Sequence, residues 1–106
     1  VRQKAWREKH WTPEARRVAG LLHKYGLTRE QYDALLEQQL GLCAICYSPP
    51  KGREFDVDHD HRCCPGIRSC GKCIRGLLCS PCNRAVGYFR DDPVLMRRAI
   101  TYLEHT

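Results

Sequence analysis

Asp58-His59-Asp60-His61 sets two carboxylates beside two imidazoles in four consecutive positions, and Cys79-Ser80-Pro81-Cys82 is followed at once by Asn83. A second CxxC, Cys43-Ala44-Ile45-Cys46, lies upstream. Each CxxC presents two sulfurs from one tight turn, and two such turns close a tetrahedral zinc site. Four thiolates leave no position for water, so zinc on Cys43, Cys46, Cys79 and Cys82 is structural. Such a site fixes the two ends of an Asp-His…Asn constellation, which is a scaffold for metal-ion chemistry. Taken singly, Asp58 could equally cap a turn, and His59 could be a satisfied structural histidine.

The other four cysteines, Cys63, Cys64, Cys70 and Cys73, fall in one short loop that contains a third CxxC. They could hold a second zinc, pair as disulfides or remain free thiols. His61 could replace one of the adjacent pair Cys63/Cys64 as a ligand, and would then be lost to catalysis. A redox role for Cys70 and Cys73 is a further alternative.

The elements that must position these groups come from a chain of 106 residues, enough for one domain with a modest core. All eight cysteines lie between Cys43 and Cys82, a stretch too short to fold without a staple. The N-terminal residues are polar and basic and read as no signal peptide. No apolar run approaches the roughly 20 residues of a membrane span. A reducing, cytoplasmic setting is therefore expected, where CxxC pairs favour zinc.

The formal charge is +6 and the pI about 9.0, which suits an anionic partner, nucleic acid above all. Bound thiols are deprotonated, so one tetrathiolate zinc site lowers the net charge to about +4 and two lower it to about +2. The local clusters therefore carry more weight than the total.

Residues 1–11 read as a basic arm. Residues 12–42 read as a helical hairpin: Thr12-Pro13-Glu14 starts one helix and Gly26 stops it. Thr28-Arg29-Glu30-Gln31 has the form of a capping box for the next, which Gly41 ends. Val18, Leu21, Leu22 and Tyr25 form one apolar stripe, and Tyr32, Leu35, Leu36 and Leu40 the other. Residues 43–106 form the metal-stapled core. A strand leads into Asp58, a second covers Ile74–Leu78, and a helix runs from Pro81 through Phe89. Asp91-Asp92-Pro93 opens a last helix with an apolar face of Leu95, Ala99, Tyr102 and Leu103.

The order CxxC…DHDH…RGLLCxxCN resembles the recombination endonuclease VII branch of the HNH (ββα-metal) nucleases, over roughly Leu27 to Leu103. The resemblance implies an α+β fold: a small zinc-stapled ββα-metal core, flanked by the N-terminal helical hairpin and a C-terminal helix. It implies that Asp58 and Asn83 hold one divalent ion and that His59 is the general base. Many HNH enzymes carry His where this chain has Asn83, so Mg²⁺ or Mn²⁺ is expected. A carboxylate with an amide oxygen is indeed a hard, incomplete shell of the kind Mg²⁺ shares with water and phosphate.

The implied activity is metal-dependent hydrolysis of DNA phosphodiester bonds, by nicking or double-strand cleavage, in a bacterial or phage-infected cell. His61 would contact phosphate, support the site or bind the second zinc. Arg62, Arg75, Arg84 and Arg90 flank the cluster and are candidates to hold the DNA backbone, Arg75 first. No small-molecule cofactor and no membrane is expected. The rival reading is a non-catalytic zinc module that binds DNA or protein.

Overall fold

The computed structural model describes residues 13–105. The basic arm expected over residues 1–11 and the capping role of Thr12 lie outside them. Among the described residues the order is α1 (Pro13–Tyr25), α2 (Arg29–Gln38), β1 (Asp56–His59), β2 (Ile74–Leu78), α3 (Ser80–Tyr88) and α4 (Pro93–Glu104). This is the α+β architecture expected: a two-stranded antiparallel hairpin followed by a helix, with helices on either side in sequence.

The capping box of α2 is formed in full. The Thr28 hydroxyl accepts from the Gln31 amide at 3.1 Å, and the Gln31 side chain accepts from the Thr28 amide at 2.9 Å. The helix ends one residue earlier than a Gly41 stop requires. Leu40 itself takes the left-handed conformation (φ 57°) and is 83% exposed, so it lies outside the apolar stripe. Only half of the α1 stripe faces inward. Leu21 and Tyr25 pack on the core, while Val18 and Leu22 are exposed.

The core is small: Leu27, Tyr32, Cys43, Phe55, Val57, Leu77 and Leu78. Tyr32 is 1% exposed, and its hydroxyl donates to the Phe55 carbonyl at 2.9 Å, which ties α2 to the lead-in of β1. Burial pushes the Tyr32 phenol up to about 12. The apolar face expected for α4 is not covered by the described residues: no α4 residue is buried, and Tyr102 and Leu103 are exposed.

The sequence reading gave no role to Gln39, yet its side chain acts as a short third strand. Its amide nitrogen donates to the carbonyls of Leu42 and Leu77, and its oxygen accepts from the Leu77 amide. Gly76 leaves room for this, since a Cβ there would lie 3.2 Å from the Gln39 oxygen. The Ala44 amide also donates to the Leu77 carbonyl, so the first CxxC turn is bonded directly to β2.

Candidate active site

The register of the hairpin positions the candidate residues. Asp58 faces Gly76 and His59 faces Ile74, so Arg75 is an extra residue in β2 without a partner in β1. A bulge of this kind re-aims the residue it frees. Arg75 turns onto Asp58, with Nε donating to Oδ2 at 2.7 Å and Nη2 to Oδ1 at 2.9 Å. Nη2 also reaches Oδ2 of Asp91 at 3.2 Å. The Asp58 contact, more than any other, holds the guanidinium in its charged form.

Asp58 and His59 are buried, at 7% and 3% exposure. Both line a cleft of about 240 Å³ that His61, Asn83 and Asp56 also line, with Lys24 and Arg53 among its other walls. Nε2 of His59 lies 2.9 Å from the Cys64 carbonyl. A carbonyl only accepts, so Nε2 carries the hydrogen and the lone pair of the neutral ring is on Nδ1. The rings of His59 and His61 lie 4.4 Å apart.

Nδ1 of His61 lies 2.7 Å from Oδ2 of Asp91. Burial pushes the Asp91 carboxyl up, but the His61 hydrogen bond and the Arg75 charge outweigh it and hold the group below its usual range. Asp91 reaches this position because α3 ends in two left-handed residues, Arg90 and Asp91, with the Asp91 amide bonded back to the Val86 carbonyl. The doubled Asp91-Asp92 was the available sequence signal. Asp92 alone caps α4, through the Val94 amide, which leaves Asp91 free for the site.

Asn83 lies on α3, and its Nδ2 donates to Oδ2 of Asp56 at 3.3 Å, while Arg53 holds Oδ1 of Asp56 at 2.7 Å. Asp56 is the first residue of the strand that leads into Asp58. Strand alternation was its signal, since residues two apart share a face.

The remaining arginines divide. Arg62, its side chain 92% exposed, pairs with Asp60 through both carboxylate oxygens. Arg84 and Arg90 are exposed. Lys24 and Arg53 are cationic groups at the cleft that the sequence reading did not single out.

Two groups of four cysteines have their sulfurs mutually within 4.8 Å: Cys43, Cys46, Cys79 and Cys82, and Cys63, Cys64, Cys70 and Cys73. With Zn–S near 2.3 Å, the edges of a tetrathiolate site are about 3.8 Å long. The sulfurs of Cys46 and Cys79 lie 3.7 Å apart and those of Cys63 and Cys70 lie 3.9 Å apart, so both groups fit zinc. His61 belongs to neither.

In the first group a Ser48 hydrogen bond draws the Cys46 thiol down to about 6, whereas burial pushes the Cys82 thiol up to about 12. Four thiolates at once therefore require a cation among them. The Asp58 and Asn83 oxygens also suit a hard cation. The buried Asp58 carboxylate is already compensated by a positive group, the Arg75 guanidinium.

No helix among the described residues is long and apolar enough to cross a membrane. No solved structure matches the chain significantly. It is similar to the Gene 59 protein of Mycobacterium phage D29, at 42% identity over 85 residues, and to that of Mycobacterium phage L5, at 40%. Each alignment covers 78% of this chain and 47% of the relative, so the chain spans about half the length of these relatives. The family model for recombination endonuclease VII matches residues 18–105, and with the cysteine pairs and the hairpin–helix unit in place, the chain belongs to the recombination endonuclease VII family.

Proposed function

We propose that the chain is a metal-dependent endonuclease that hydrolyses DNA phosphodiester bonds by a one-metal HNH mechanism. The observation that carries this reading is the single cleft lined by Asp58, His59, His61 and Asn83. His59 takes a proton on Nδ1 from the attacking water, while the Cys64 carbonyl holds Nε2–H and keeps the ring oriented.

Asp58 and Asn83 would hold a Mg²⁺ or Mn²⁺ ion, which supplies Lewis-acid charge to the phosphate and the leaving oxygen. Arg75, displaced from Asp58, is then available to the DNA backbone, beside Lys24 and Arg53 at the cleft. His61, oriented by Asp91, faces the same space and serves to contact phosphate. The zinc on Cys43, Cys46, Cys79 and Cys82 is structural.

The test is plasmid nicking with Mg²⁺, Mn²⁺ or EDTA, comparing the wild type with His59→Ala. The variant is expected to keep its fold and zinc and to lose cleavage by a factor of about 10² to 10⁴. Metal-dependent cutting that survives in folded His59→Ala protein reassigns the base. The rival reading, a non-catalytic zinc module, has one observation in its favour: Asp58 and His61 are already satisfied internally by Arg75 and Asp91. A wild type that binds duplex, single-stranded and four-way-junction DNA but cuts none of them supports that rival.

A further inference from the structure

The loop between β1 and β2 carries the second cysteine group, and its backbone reaches the cleft directly. Beyond β1 the pairing continues for one more bond, from the Asp60 amide to the Cys73 carbonyl at 2.9 Å. The chain then turns sharply, with the amides of Cys63 and Cys64 both bonded to the Asp60 carbonyl. That turn presents the Cys64 carbonyl to Nε2 of His59 at 2.9 Å. The far side of the loop is bonded as a metal knuckle, with the Lys72 amide donating to the Cys70 sulfur at 3.4 Å.

The same loop is docked onto the end of α1. Ser69 donates its amide to the Lys24 carbonyl at 2.8 Å. Gly26 and Gly71 meet backbone to backbone. A Cβ on Gly71 would lie 2.6 Å from the Gly26 oxygen, and one on Gly26 would lie 2.9 Å from the Cys70 carbonyl. Both glycines have φ in the left-handed region, 68° and 85°, so only glycine suits either position. Hardly any of the loop is buried: of residues 61–73, Cys64, Ser69, Gly71 and Cys73 are half-buried and the rest are exposed. Apolar packing cannot hold such a segment, yet it bears the carbonyl that orients a buried imidazole.

We propose that Cys63, Cys64, Cys70 and Cys73 form a second tetrathiolate zinc site whose occupancy fixes the Cys64 carbonyl against Nε2 of His59, making the site a positioning device for that imidazole. The sulfur spacings, 3.9 Å for Cys63 with both Cys64 and Cys70, match the edge of a zinc tetrahedron and far exceed the roughly 2.05 Å of a disulfide. All four sulfurs fall within one 4.8 Å group. Cys64 is at once a ligand through its sulfur and the hydrogen-bond acceptor for His59 through its oxygen. Metal bound at the sulfur therefore restrains the oxygen through the few bonds between them. The importance of this for cleavage rests on the reading of His59 as the base. The metal site and the ring orientation do not.

The test uses the full chain. Metal analysis against protein concentration should give two zinc ions per chain, and the Cys70→Ser/Cys73→Ser double variant should give one while keeping its helical circular dichroism. Long-range ¹⁵N–¹H correlation spectra of the His59 ring should show a single Nε2–H tautomer in the wild type and mixed tautomers in the variant. One zinc in the wild type, with the loop cysteines free or oxidised to disulfides, overturns the site. Two zincs with an unchanged His59 signature in the variant overturn the positioning role.

If the variant folds poorly, stepwise chelation of the wild type decides. The exposed second site should release its zinc first, and the His59 signature should change with that first ion. A change only on release of the second ion overturns the proposal. Neither readout involves cleavage. A protein with two zincs and a fixed ring that cuts no DNA thus removes the nuclease reading and leaves this one standing.

Discussion

Arg75 grips both carboxylate oxygens of Asp58, at 2.7 and 2.9 Å, and the carboxylate it grips is almost out of reach of solvent. A cation from solution competes with the guanidinium for the Asp58 carboxylate. Removing one partner of a buried ion pair is costly, but the Arg75 side chain is 37% exposed and solvent screens part of the loss. Arg75→Ala is therefore expected to destabilise the metal-free chain by about 1–2 kcal/mol. It should also tighten Mn²⁺ binding roughly tenfold, the equivalent of about 1.4 kcal/mol. Calorimetric titration with Mn²⁺ in the absence of DNA checks the second effect, and an unchanged affinity removes the competition. With DNA present the same variant should bind more weakly, most visibly at low salt, and with a shallower dependence on salt.

Asn83 is shared between the proposed ion and Asp56. Asn83→Ala is expected to raise the Mg²⁺ concentration needed for half-maximal cleavage by about tenfold while zinc content stays the same. Asp56 keeps its Arg53 partner and should not unsettle the fold. Cleavage rate measured against Mg²⁺ concentration checks this, and an unaltered dependence moves the second ligand to another residue.

Gln39→Ala removes one hydrogen bond from each backbone group of Leu77, a residue with no exposed surface. The Ala44 amide still bonds to the Leu77 carbonyl, so the Leu77 amide is the group left unsatisfied. The expected loss is about 1–3 kcal/mol, read from the midpoint of urea unfolding. Gln39→Glu keeps an acceptor for the Leu77 amide and should lose less. Equal stability of all three proteins would deny the side chain its strand-like role.

Removing zinc from the first group should unfold the centre of the chain, because metal binding and folding are one equilibrium there. Cys43→Ser and Cys82→Ser are expected to act like a strong chelator, with loss of helical circular dichroism and of bound zinc. A Cys82→Ser protein with full helicity and zinc content would end the case for a zinc-dependent scaffold.

Arg29 on α2 pairs with Glu54 ahead of β1 at 2.7 Å, and that hydrogen bond is the main reason the Glu54 carboxyl titrates below its usual value. A carboxyl with a depressed folded-state pKa adds stability at pH values above its unfolded pKa, near 4.3 for glutamate, and the gain is lost as pH falls through the folded value. Glu54→Gln should be less stable than the wild type at neutral pH by about 0.5 kcal/mol, a small figure because the Glu54 side chain is 42% exposed. The two proteins should converge in acid. Unfolding midpoints measured from pH 7 down to pH 3 check the sign, and a gap that widens in acid would contradict it.

What can be read from this chain alone is what local bonding dictates. The Thr28 capping box, the Asp92-Pro93 start of α4 and the paired CxxC turns are short-range devices, and each forms where its residues stand. The motif order is enough to recognise the family, because ligand spacing survives translation into three dimensions. The outcome differs where the deciding contact is distant in sequence. Leu40, one residue ahead of the expected Gly41 stop, and Arg90 take left-handed conformations at helix ends, where their amides bond to carbonyls of the preceding turn. Arg75, expected to face DNA, is turned by a bulge onto Asp58, and Asp91, expected only to start a helix, bridges Arg75 and His61 across the fold. Burying a carboxylate beside two imidazoles demands compensating charge, and only the folded arrangement determines which of the chain's many charged side chains supplies it.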